Sequence, residues 1–204
     1  IRVQGRHKKQ TGGRGQFGDA WVRFEPLPRG TGFEFVDEVK GGSVPRNFIP
    51  AVEKGIRDGL KKGAVAGYPL IDLRATLDDG SSHPVDSSDM AFQMAGQVAL
   101  QKAMEEAGGV LLEPVVEVEV VVPAEFMGDV IGALNSKRGS VLGMEPKGSN
   151  QVVRAIVPLA EMTNYASELR SLTGGRGTYG MQFAHYQEVP GHLVGPVVEA
   201  AKKE

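Results

Sequence analysis

Val121-Val122-Pro123-Ala124-Glu125-Phe126-Met127 is echoed further along by Ile156-Val157-Pro158-Leu159-Ala160-Glu161-Met162. Each copy reads as an apolar strand, a proline at the first helical position, and a helix. The copies also end alike. Arg138-Gly139-Ser140 parallels Arg176-Gly177-Thr178, and each run reaches a Gly-Met pair, Gly143-Met144 or Gly180-Met181. Two consecutive β-α-β units predict the split βαβ, or ferredoxin-like, plan. The helix stripes agree with it: Met127, Val130, Ile131 and Leu134 in one, Met162, Tyr165, Ala166 and Leu169 in the other. Gly128 and Gly132 are expected to pack closely on the sheet. Val115–Val122 alternates at first, with Glu117 and Glu119 on one face, so one side of that sheet edge is expected to meet water. Sheets of this topology that bind RNA stack bases on aromatics of the central strands. Only Tyr179 and Phe183 could serve here, which disfavours that mode. Pro196–Glu204 reads as a short helical tail.

Upstream of the join near Gly108–Pro114 the pattern changes. Arg2–Gln10 and Ala20–Pro26 read as strands, and Phe33–Val36 as a third, in a hairpin system with a glycine-rich first connection. Ile49-Pro50 opens a helix with Val52, Ile56 and Leu60 on one face, closed by Lys61-Lys62-Gly63. Tyr68–Leu77 reads as a strand and Asp78–Ser88 as a polar loop. A long helix follows, with Asp86 or Ser87 as its cap and Asp89 in its first turn. Met90, Met94, Val98 and Met104 are expected to form its buried face. Together the two halves make an α+β chain.

The 204 residues contain no cysteine, which excludes disulfides and thiolate metal sites and fits a reducing compartment. No stretch approaches a membrane span, and no signal peptide is visible. The chain opens on Ile1 in a basic stretch and reads as a fragment of something longer. Net charge is −2, so there is no global nucleic-acid footprint. Locally, Arg2, Arg6, Lys8, Lys9 and Arg14 all precede the first acidic residue, Asp19. That basic run ends in Thr11-Gly12-Gly13-Arg14-Gly15, a pentapeptide repeated at Thr173–Gly177. Closely spaced glycines leave backbone N–H groups bare, and an arginine between them adds a planar fork of donors. The pattern is that of RNA-facing loops, or of two glycine turns leading into strands. The lysine and hydroxyl of a nucleotide-hydrolysing loop are missing. His83, in Asp79-Gly80-Ser81-Ser82-His83-Pro84-Val85-Asp86, admits three readings: an exposed turn residue, a donor to RNA, or a base oriented by Asp86 or Asp89. His7 is expected to be solvated and His185 structural. The histidines lack metal-ligand spacing.

These motifs converge on one family. Lys9-Gln10-Thr11-Gly12-Gly13-Arg14-Gly15-Gln16-Phe17-Gly18, Phe33-Glu34-Phe35, Ile49-Pro50-Ala51-Val52 and Ala66-Gly67-Tyr68-Pro69 resemble the C-terminal third of bacterial elongation factor G, the ribosomal translocase. So do His83-Pro84-Val85-Asp86-Ser87-Ser88, Leu112-Glu113-Pro114, Gly128-Asp129-Val130-Ile131-Gly132 and Leu169-Arg170-Ser171-Leu172-Thr173. The resemblance implies a domain similar to ribosomal protein S5 domain 2 over 1–111, with an unusual left-handed crossover. A ferredoxin-like domain with a helical tail would follow over 112–204. It implies RNA or decoding-region contact by Gly12, Gly13, Arg14, Gly15, Gln16 and His83, and large-subunit contact by Gly175 and Arg176. The implied partners are the ribosome, the tRNA–mRNA duplex and N-terminal GTPase domains of the same parent chain, in the cytoplasm and without a membrane. No cofactor is expected on this segment, since GTP and magnesium belong to the N-terminal domain. The chain would then be no enzyme itself, only part of a ribosome-activated GTPase that promotes translocation. In the related eukaryotic factor the histidine matching His83 is modified. Ser82 and Pro84 depart from the residues common around that histidine, which keeps a paralogue in ribosome recycling or protection as an alternative, beside a small acid–base enzyme centred on His83.

Overall fold

A computed structural model describes residues 1–10 and 12–203; Thr11, the first residue of the first glycine loop, and Glu204 lie outside the described residues. The chain folds as two compact units, Leu111–Gly191 and the rest. In the first, β1 (Arg2–Lys9) and β2 (Gln16–Pro26) form the expected hairpin around the glycine loop. β3 (Phe33–Asp37) does not extend it. It pairs in parallel with β4 (Leu73–Ser81), giving the order β1-β2-β4-β3. Parallel neighbours need a crossover, and α1 (Ile49–Lys62) supplies it. β4 starts later than Tyr68 because Ala66, Gly67 and Asp72 hold positive φ, at 53°, 75° and 59°. It then runs through Asp79 and Gly80, which pair with Trp21 and Ala20 past a bulge.

The long helix α2 (Asp89–Ala107) corrects the expectation most sharply. Its cap is Ser88, whose Oγ accepts from Ala91 N at 3.2 Å, not Asp86 or Ser87. Met90 and Met94 face solvent, 64% and 37% exposed. The buried residues are Ala91, Phe92, Ala95, Gly96, Ala99, Leu100 and Ala103. The helix is squeezed from two sides, so its inner faces admit little but small side chains. A Cβ on Gly5 of β1 or Gly18 of β2 would run into the carbonyls of Ala95 and Ala91. One on Gly55 of α1 would run into that of Gln93, on the other side. Phe92 and Leu100 are the large residues that find room, Phe92 stacked on Phe48 at 4.8 Å.

In the second unit the sequence reading holds. β5 (Leu112–Pro123), β6 (Ser140–Lys147), β7 (Asn150–Pro158) and β8 (Thr178–Glu188) form an antiparallel sheet in the order β6-β7-β5-β8. α3 (Met127–Ser136) and α4 (Tyr165–Thr173) complete the split βαβ plan. Val116, Val118, Val120, Val122, Val153, Ala155 and Val157 meet Val130, Leu134, Met162, Tyr165 and Leu169 in one core. Several details differ. Each proline ends its strand and leads into a 3-10 turn, Ala124–Phe126 or Leu159–Met162, before the α-helix begins. Ala166 is exposed. Gly128 and Gly132 also face outward, with nothing within 4 Å of an added Cβ. Glu117 and Glu119 lie on an interior strand, not an edge, and Arg154 spans Glu119 and Glu145 at 3.2 and 2.9 Å. Tyr179 is half-buried and packs against the core, edge-on to Tyr165 at 5.0 Å. The tail helix α5 (Gly191–Ala201) begins before Pro196 and groups with the first unit, where it was expected with the second. Its stripe of Leu193, Val194, Val197 and Val198 is half-buried.

Two arginines tie the repeat together. Arg138, at φ 58°, reaches Glu161 in the second 3-10 turn at 2.9 Å and Glu113 on β5 at 2.6 Å. Arg176 reaches Glu125 in the first 3-10 turn at 2.9 Å. The Arg138 guanidinium holds the Glu113 carboxyl below the usual carboxylate range, against the opposing pull of burial.

Gly55→Ala is expected to destabilise by about 1–3 kcal/mol, since its methyl meets backbone, while Gly128→Ala gains about 0.5–1 kcal/mol from helix propensity alone; chemical denaturation separates the two. Glu113→Gln should cost about 1–3 kcal/mol at neutral pH. The lowered folded-state pKa means that this stabilisation is complete above the unfolded value of about 4.3 and fades as pH falls through the folded one. Denaturation curves of the two proteins should therefore converge in acid.

Candidate nucleic-acid interface

The hairpin of β1 and β2 carries the first glycine loop at its end. Gly12, at φ 51°, Gly13 and Arg14 are exposed. Gln16 pairs across the hairpin with Lys9, and its Oε1 lies 2.8 Å from His7 Nε2. His7 is thus half-buried and partnered, where solvation was expected. On the same strand Arg6, Lys8 and Lys9 are exposed, and the Arg6 guanidinium stands over the Phe17 ring at 5.6 Å.

The segment 82–88, leading into α2, lies against this hairpin end. Phe17 N donates to Asp86 O at 2.9 Å, and Phe17 and Ser87 form a parallel bridge. Ser87 Oγ donates to Phe17 O at 2.9 Å and accepts from His83 N at 2.8 Å. Arg14 Nε and Nη2 donate to Val85 O at 3.0 and 2.9 Å. Gly15 lies so close to Asp86 that a Cβ would sit 2.7 Å from its Oδ2. Two loops far apart in sequence are thereby fastened into one tip. The structure brings Gly12, Gly13, Arg14, Gly15, Gln16 and His83 together there.

The His83 side chain is half exposed. Its Nδ1 accepts from Asp86 N at 3.1 Å and Val85 N at 3.3 Å. An acceptor at Nδ1 means the proton of the neutral ring is on Nε2. Asp86 Oδ2 is 3.5 Å from Nδ1. A general base oriented by a carboxylate would donate from one ring nitrogen to that carboxylate, and this arrangement does not do so. The acid–base reading of His83, Asp86 and Asp89 therefore lacks its orienting bond. Among the described residues no group of three or more acidic or histidine side chains could hold a metal ion, and no helix is long and apolar enough to cross a membrane.

The second glycine loop belongs to the other unit. Gly175, at φ 82°, donates to Arg170 O at 2.9 Å and closes α4. Arg176, bonded to Glu125, also stacks over Phe126 at 4.6 Å. Val85, Asp86 and Ser87 are the tip residues that sequence reasoning did not assign to the site. Asp86 and Ser87 were the expected caps, and no local signal in the Asp-Ser-Ser run distinguished the residue that caps from those that bind the hairpin.

Residues 2–108 match the family model described as Elongation factor G, domain IV, and residues 110–195 match Elongation factor G C-terminus. An elongation factor G from Aquifex pyrophilus is 56% identical over 195 residues, covering 96% of this chain and 28% of that protein. A crystal structure of a Thermus thermophilus protein superposes with a TM-score of 0.89 at 46% identity, covering 100% of this chain and 30% of that one. The chain spans less than a third of either relative.

Ser87→Ala removes the side-chain bond from the His83 loop to β2 and the bond that holds His83 N, leaving the Phe17–Asp86 backbone bond in place. Amide exchange at His83 is expected to rise by the equivalent of about 1–3 kcal/mol, with exchange in the β5–β7 ladder unchanged.

Proposed function

The chain belongs to the elongation factor G family, matching its domain IV and its C-terminus, and from that premise we propose that it is the ribosome-facing part of a longer translational GTPase that promotes tRNA–mRNA translocation. GTP and magnesium would bind N-terminal domains of the parent. The tip would enter the decoding region of the small subunit as the codon–anticodon duplex leaves it. Gly12, Gly13, Arg14, Gly15, Gln16 and His83 make up the proposed contact tip there. Gly175 and Arg176 are proposed to touch large-subunit RNA.

One observation carries this reading: the two loops are cross-bonded into a single exposed tip whose outward groups are glycine backbone and the Nε2–H edge of His83. Such groups recognise RNA by shape, phosphate and 2′-OH, and are indifferent to sequence. That suits a device that must meet every codon. The exposed cations Arg6, Lys8 and Lys9 add local attraction that the net charge of −2 conceals. A tip that binds the moved duplex better than the unmoved one biases it forward by the difference in affinity alone. About 1.4 kcal/mol of such preference is a tenfold bias.

In the full-length factor, His83→Ala is expected to slow translocation about tenfold while ribosome-stimulated GTP turnover persists, as mRNA movement and phosphate release measured side by side will show. Unchanged translocation removes the fingertip role of His83. Normal translocation with impaired subunit splitting favours the recycling paralogue instead.

A further inference from the structure

The peptide group between Val85 and Asp86 has a cation at one end and an imidazole at the other. Its oxygen accepts from Arg14 Nε at 3.0 Å and Nη2 at 2.9 Å. Its N–H, on Asp86, donates to His83 Nδ1 at 3.1 Å. The Val85 N–H reaches the same nitrogen at 3.3 Å. Hydrogen bonds in series polarise one another, and bonds from charged donors are about twice as strong as neutral ones. A guanidinium seated on the carbonyl draws electron density through the amide and makes its N–H a better donor. The receiving Nδ1 lone pair is held in place, and the ring proton stays on Nε2.

We infer that Arg14 is a positioning residue: its guanidinium fixes and polarises the Val85–Asp86 peptide, and so sets the orientation and tautomer of an imidazole it does not touch. The inference rests on the reading of this tip as the ribosome-facing end. It reassigns Arg14, expected at the RNA, to an internal clasp. Two of its N–H groups converge on one carbonyl, while Arg6, Lys8 and Lys9 remain on the exposed strand for phosphate. Lysine cannot substitute in this role, because an ammonium on a flexible stem lacks the fork that seats on the oxygen. A phosphate contact would tolerate it far better.

The test compares Arg14→Lys with Arg14→Gln. Long-range proton–nitrogen spectra of the 204-residue chain, at a pH where the imidazole is neutral, should show Nδ1 as a hydrogen-bonded acceptor. Both variants should move Nδ1 toward the free-imidazole position, with unchanged thermal melting. In the full-length factor both should slow translocation about tenfold, and Arg14→Gln should add nothing in a His83→Ala background. An unmoved Nδ1 in Arg14→Gln overturns the inference. So does an Arg14→Lys factor of full speed beside a slow Arg14→Gln whose ribosome binding has a shallower salt dependence, the signature of a lost phosphate contact. If His83→Ala alone translocates normally, the fingertip reading fails by itself, and the Nδ1 shift still decides for or against the clasp.

Discussion

The seating of α2 is the constraint on which the first unit depends. Gly5 and Gly18 bring the hairpin, and Gly55 brings α1, to a distance at which backbone meets backbone. At such separations there is no space for side chains to adjust, so the helix has one axial position. Its first turn starts at Ser88, directly after the segment that carries His83. Fixing the helix therefore fixes where that segment ends, and Phe17 and Ser87 only have to complete the attachment. A short polar loop gains a defined position because its neighbour is anchored by a nineteen-residue helix.

Much of this architecture was legible in the sequence where local rules and packing agree. The duplicated Val-Pro runs announced the ferredoxin-like unit, and Ile49-Pro50 to Gly63 announced α1, because stripe, proline and terminal glycine all pointed the same way. The reading failed where packing inverts the usual weighting of residue size. Methionine outranks alanine in hydrophobicity, yet α2 buries its alanines, since the glycine-lined walls come close enough there for backbone to meet backbone. Gly128 and Gly132 misled in the opposite sense, being glycines with open space around them. Partnership was also hidden. Nothing in Phe33–Asp37 reveals that it pairs in parallel with β4, which depends on where α1 returns the chain.

The site shows the same division. The glycine loop and His83 stood out as residue types suited to RNA, and they do share one tip. What holds them there was invisible, because Arg14 and Val85 are far apart in sequence and a carbonyl oxygen carries no residue identity. Side chains that bind backbone leave no complementary residue to find. Arg14 and Arg176 occupy the same place in the same pentapeptide, yet one takes a carbonyl far along the chain, and the other a carboxylate, an aromatic ring and a carbonyl three residues away.

The crossed arginines of the second unit have a consequence for how it comes together. Arg138, in the first β-α-β half, divides its guanidinium between Glu113 of its own half and Glu161 of the second, and Arg176, in the second half, reaches Glu125 of the first. Each half thus carries an arginine whose full set of bonds needs a glutamate of the other. The duplication thus yields one cooperative body instead of two modules side by side, and it lengthens the sequence separation of the contacts that close it.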